Sequence, residues 1–204
     1  MGGASPWGSL SIPLEVTVGD ADGHDGANSE ADDALWEQGA SNMTTQAIEH
    51  YLYLLDSAFA GPDWHSILSN LTTVAPEDWT WVPPDGERSI RDIVRHVGRV
   101  KLMAHDQAFG GGTLTWDDPR IDGDEATVDI PSAIAWLRMG HERLRGGVAA
   151  LTDDAELLQL RRTNWGELRE TRWIIVVTMI QHDLYHAGEI NHLRSVHQGT
   201  DQWE

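Results

Sequence analysis

The 204-residue sequence predicts an all-α protein: a four-helix bundle with an additional N-terminal helix and an acidic, largely irregular N-terminal extension. Three observations lead there. Apolar residues recur at i, i+3 and i+4 through several long segments, as on helices with one buried face. Glycine and proline clusters fall between those segments. Strand-like alternation is confined to one short stretch near the N-terminus.

Residues 1–42 differ in composition from the rest. They hold eight acidic residues and no Lys or Arg, among many Gly, Ser and Ala. A stretch so charged and poor in apolar residues has too little to bury, so Gly19 to Ala34 reads as flexible. Leu10, Ile12, Leu14, Val16 and Val18 alternate as in a strand, and Pro13 would confine such a strand to an edge. The expected division is an acidic flexible extension over residues 1–42 and a helical bundle domain over residues 43–204.

The first helix follows Met43, with Ala47, Ile48, Tyr51, Leu52, Leu55 and Phe59 on one face, and Gly61-Pro62 stops it. Asp63 can cap a second helix carrying Ile67, Leu68, Leu71 and Val74. Pro76, Pro83, Pro84 and Gly86 mark a long turn. The third helix spans Ser89 to Phe109, with Ile90, Ile93, Val94, Val97 and Val100 inward, and Gly110-Gly111-Gly112 ends it. An irregular acidic segment reaches Asp129. Pro131 then opens a helix to about Ala150, with Ile134, Leu137, Leu144 and Val148 inward. The last helix runs from about Glu170 to Val196. With the Met43 helix as an extra, this is the pattern of a bundle.

Charge and composition exclude several functions. The formal net charge is -19, so the basic footprint of a nucleic-acid binder is missing and anionic membranes are repelled. No run of 18 apolar residues suggests a membrane span. No Lys or Arg precedes the first apolar stretch, as a secretory signal would require. Cysteine is absent, which removes disulfides, thiolate ligands and a cysteine nucleophile. Cytoplasmic localisation is the default expectation.

His182 and His186 carry the strongest chemical signal. Four residues apart on a helix is about 40° of rotation, so both imidazoles reach one ion. At ~100° per residue, Ile175, Thr178, Met179, Glu189, Ile190 and Leu193 share their side. Two imidazoles interrupting an inward apolar stripe need a reason to be there, and a metal is the usual one. A pair of hydrogen-bonded core histidines is the plainer alternative. A third ligand is needed for a catalytic site of the zinc type. His96 flanks the inward face of the third helix, and His141 lies on the apolar face of the fourth. His105 is about 180° from His96 on the same helix, and His192 about 80° from the 182/186 pair. Glu189 is placed either to ligate or to accept from an imidazole N–H.

Several segments resemble the DinB/YfiT-like superfamily. His182-Asp183-Leu184-Tyr185-His186-Ala187-Gly188-Glu189-Ile190 is similar to its H-x-x-x-H-x-G-[QE]-I signature. Ser89 to Val97, with His96 before an apolar residue, is similar to its second core helix. Ile67 to Leu71 followed by Glu77-Asp78-Trp79 is similar to its first helix and turn. The resemblance covers roughly residues 63–204. It implies a four-helix bundle of DinB type holding one divalent metal ion, zinc or nickel, on His96, His182 and His186. Glu189 stands where the family often has Gln, which adds negative charge.

The resemblance also implies a metal-dependent transferase acting with a low-molecular-weight thiol, or a related hydrolase. A non-enzymatic structural-metal or stress-response binding protein is the alternative. Trp79, Trp81, Trp116, Trp136 and Trp165 are candidates to line a pocket, and Arg161, Arg162 and Arg172 to receive thiol carboxylates. The expected partners are a small-molecule substrate and such a thiol, with a second copy of the chain as a candidate. A zinc protease is disfavoured: Asp183 is shorter than the Glu of H-E-x-x-H, and Gly188 falls one position early for the extended motif.

Overall fold

The computed structural model describes residues 45–62 and 65–202. The acidic extension expected over residues 1–42, with its alternating Leu10–Val18 segment, lies outside the described residues. Helix α1 spans Gln46–Ala60 and buries Ile48, Leu55, Ala58 and Phe59. Its own N-cap, Thr45, makes no side-chain cap. Asp154, far along the chain, accepts instead from the backbone N–H groups of Ala47 and Ile48, both at 3.1 Å. That carboxylate satisfies two of the orphan donors at the helix start.

The helix expected from Asp63 is short. It is α2, Ile67–Leu71, capped by Ser66, whose hydroxyl accepts from the Ser69 N–H. The four long helical runs are therefore α1, α3, α4 and the C-terminal run. Helix α3 is Ile90–Phe109 and opens with a capping box between Ser89 and Asp92. At its end the Asp106 carboxylate accepts from the N–H groups of Gly111, Thr113 and Leu114, which fixes the turn that follows. Helix α4 is Ile130–Ala149, with Asp129 as N-cap and Pro131 in its first turn. It lies close against α3 and the acidic segment where glycine leaves room. A Cβ on Gly98 would stand 2.0 Å from the Trp136 ring, and one on Gly123 2.5 Å from it.

A small antiparallel hairpin, not anticipated from the sequence, joins α4 to the last helix. Strand β1 is Leu160–Arg162 and β2 is Leu168–Glu170, with Arg161 opposite Arg169. Helix α5 (Thr171–Ile175), a π-helical turn (Val176–Gln181) and α6 (His182–Gln198) then run on as one continuous helix. The π turn has local causes. Ile174, Ile175, Val176, Val177 and Thr178 are five β-branched residues in a row, which crowds a regular helix. The Thr178 hydroxyl also donates to the Ile174 carbonyl at 2.5 Å, and such back-bonding loosens the ladder. Gly199, with φ of 69°, closes α6 in the left-handed conformation favoured at helix ends.

Two large apolar clusters fill the bundle, with a smaller one of Leu102, Met103 and Ile121 beside them. One gathers Ile67, Leu71, Ile93, Val97, Leu137 and Ile190. The other gathers Leu55, Ala108, Leu144, Ile174, Ile175 and Met179. Between them, along α3, α4 and α6 respectively, come Lys101, His141 and Asp183, all buried. Lys101 donates to Asp183 at 2.5 Å, and both side chains are essentially inaccessible. No helix among the described residues is long and apolar enough to cross a membrane.

Candidate metal centre

The first two turns of α6 carry His182 and His186, and the first half of α3 carries His96 opposite them. The His182 Nε2 lies 3.0 Å from the His96 Nε2 and 3.2 Å from the His186 Nε2. One ligand nitrogen from each ring falls within 4.8 Å of the others, so the three can hold a metal ion. The expected trio is thus brought together.

The donor set fits a divalent ion. Two nitrogens bound to one tetrahedral zinc at ~2.0–2.1 Å stand about 3.3 Å apart, close to the two separations here. The rings also stay neutral, as ligands must. Burial, reinforced by the neighbouring His186 and Arg88, lowers the His96 pKa to about 4. Burial and the two partner imidazoles take His182 to about 3. Burial lowers His186 too, with Glu189 opposing.

Glu189 resolves into one of its two expected roles. Its Oε2 lies 2.8 Å from His186 Nδ1, and its Oε1 pairs with Arg88 at 2.7 Å. A carboxylate accepts, so His186 Nδ1 is the donor and the Nε2 lone pair points to the other two histidines. Glu189 orients a ring and is itself held by Arg88, a residue with no distinguishing signal in its local sequence. The His182 Nδ1, in contrast, is buried without a hydrogen-bond partner.

His141 is not part of this cluster. Its ring stacks on Phe59 at 4.1 Å, and its Nε2 meets the Asp56 carboxylate at 3.1 Å. Asp183, the shorter stand-in for a protease base, points into the core at Lys101. His192 is exposed.

A cleft of about 360 Å³ opens from the histidines and is bordered by His96 and His182. Of the five expected tryptophans, Trp116 and Trp165 line it, joined by Trp173. The Trp116 ring stacks over His96, 5.5 Å between centroids and nearly parallel. Trp79 is buried elsewhere and donates to the Thr127 carbonyl. Trp81 covers His197, and Trp136 packs against Gly98 and Gly123. Arg161, Arg162 and Arg172 do not line the cleft; Arg161 and Arg172 bond to Gln159 and Glu170.

The family model of the DinB superfamily matches residues 63–190, more than half of the chain and all three histidines. The chain belongs to the DinB superfamily. The DinB match begins after α1 and ends just past Glu189, so it takes in the whole histidine cluster with its orienting carboxylate. No curated protein is similar enough to the chain to match it.

Proposed function

We propose that this DinB protein is a metal-dependent transferase that activates a low-molecular-weight thiol against a small electrophilic substrate. His96, His182 and His186 would hold one divalent ion, zinc or nickel. The observation that carries this reading is that two of the three histidines, His96 and His182, line an open cleft. His96 and His182 both border the cleft as well as the convergence point. A structural site is closed by protein ligands on every side, whereas a catalytic one keeps a position for water or substrate.

Bound there, a divalent ion would acidify a thiol and so provide a nucleophile at neutral pH. The chain's own groups supply the rest. Arg88 and Glu189 hold the His186 ring, which keeps its donor lone pair aimed at the other two nitrogens. Trp116 lies flat over His96 and shields that ring from water. The apolar surfaces of Val100, Met103 and Val177 give a low-dielectric wall, in which charge interactions strengthen.

The test loads the full-length protein with Co(II) and adds small thiols. A sulfur-to-cobalt charge-transfer band, with transfer of the thiol to a model electrophile, supports the proposal. A cobalt spectrum that no thiol perturbs points to a closed structural site and rejects it.

A further inference from the structure

The side chains lining the cleft carry no charge, although Arg99 and Arg169 stack on two of its rings, Trp116 and Trp173, at 5.5 and 5.0 Å. Among the described residues, no Asp, Glu, Lys or Arg lines it, in a chain with 33 acidic residues. Three indoles do: Trp116 next to His96, and Trp165 and Trp173, which meet edge to face at 6.2 Å. Trp165 comes from the tip of the β1–β2 hairpin. There Gly166 N–H donates to the Thr163 carbonyl, and Asn164 and Trp165 are the two central turn residues. Gly166 takes φ of +89°, which the turn needs and a side chain would resist.

Two carboxamides stand among these rings. Gln107 lies on the His96 face of α3, eleven residues on, or about 16 Å of helix rise. The residue is 5% exposed and borders the cleft. The Asn164 Oδ1 is buried without a partner. An unpaired buried acceptor is costly and a ligand's N–H relieves that cost, while the ligand's carbonyl can accept from the Gln107 amide.

From this placement we infer that the cleft takes a neutral, planar ring compound with an amide-type edge: its ring lies among the indoles and its edge bonds to Gln107 and Asn164. The substrate class follows from chemistry on the wall. Aromatic faces favour a flat ring. A carboxylate there would meet no cation among the lining side chains, since Arg99 and Arg169 lie over the rings and outside the lining, and an ammonium would meet no anion. An elongated ligand anchored at Gln107 reaches back along Val100 and Met103 to the histidines. The inference rests on the proposed function only for calling this compound the substrate; binding itself needs no metal.

The test therefore uses chelator-treated, full-length protein and two probes of one shape, 2-naphthamide and 2-naphthoate, measured by calorimetry. The amide is expected to bind, and the carboxylate roughly tenfold or more weakly. Gln107→Leu should weaken the amide severalfold, since it removes a hydrogen-bond partner of the amide edge. Trp165→Ala should weaken the amide severalfold, and because Trp165 is half-exposed at a turn, this variant keeps its fold. Equal or tighter binding of the carboxylate overturns the inference, as does no binding of either probe. So does amide binding that neither variant alters, since the site would then lie elsewhere. Zinc titration of the same preparations separates the two claims. Zinc uptake without amide binding sinks the substrate class alone; amide binding without zinc uptake sinks the metal reading alone.

Discussion

Replacing Glu189 by Gln probes how the histidine cluster is held. The substitution keeps the size of the side chain and a carbonyl acceptor for His186 Nδ1, now 2.8 Å from a carboxylate oxygen. It removes the charge that Arg88 meets at 2.7 Å on the other oxygen. Groups that orient a ligating histidine contribute about 10–100-fold to metal affinity. Because Gln still accepts a hydrogen bond, the lower end applies: about tenfold, or ~1.4 kcal/mol. Glu189→Ala removes the acceptor as well and should approach a loss of about a hundredfold. Competition for zinc against a chromophoric chelator measures both. Equal affinity in wild type and both variants would show that the Glu189 contact does not support the site. A Gln variant that loses far more than the Ala range would show Glu189 to be a ligand itself, and the three-histidine account would be wrong.

Three further outcomes follow from the bundle. Breaking the Lys101–Asp183 pair by Lys101→Met or Asp183→Leu alone should cost about 3–5 kcal/mol in urea unfolding, because one buried charge is left alone. The double variant should be more stable than either single one; additive losses would contradict the pairing. Gly98→Ala should destabilise by about 1–3 kcal/mol on thermal unfolding, since the new methyl meets the Trp136 ring and helix propensity regains only about 1 kcal/mol; a stabilised variant would refute the close packing. Burial lowers the His141 pKa from 6.5 to about 4 despite Asp56. The unfolded chain therefore binds the proton first, and the stability from neutral His141 is lost as pH falls from 6.5 towards 4, up to about 3 kcal/mol. His141→Gln should make the loss of urea stability over that range shallower, leaving the share due to His96 and His182, and an unchanged pH profile would count against it.

The helices and the His182/His186 pair were legible because both depend on local spacing, whereas spacing left His96 and His141 as rivals and only the family resemblance implied the trio. The His182/His186 pair needs one helical turn, and the capping box at Ser89 and Asp92 is written in four residues. What escaped depends on contacts between distant segments. Whether α1 or the Asp63 segment would be long turned on packing, not on their similar apolar rhythms. Asp154 capping α1 has no local signature. Trp173 stands nine residues before His182, which at ~100° per residue is the opposite side of a straight helix. The π turn between them rotates fewer degrees per residue and lets both border one cleft. Its cause, the β-branched run into Thr178, was in the sequence, but propensity alone does not select a π turn over a kink. Gln107 was within reach: eleven residues from His96 returns to about the same helix face, so a polar side chain there was a signal. Arg88 and Asn164 lie in a turn and a hairpin tip whose positions only the tertiary structure sets.

Metal stoichiometry with X-ray absorption on the zinc-loaded protein decides whether the three imidazoles form one open metal site. One zinc per chain is expected in the wild type. Its shell should hold three imidazole nitrogens at ~2.0–2.1 Å plus a light exchangeable ligand, and His96→Ala, His182→Ala and His186→Ala should each lose tight binding. Full zinc occupancy in any of these variants, or no zinc bound by the wild type, would contradict it and leave the three rings as a hydrogen-bonded cluster in the core.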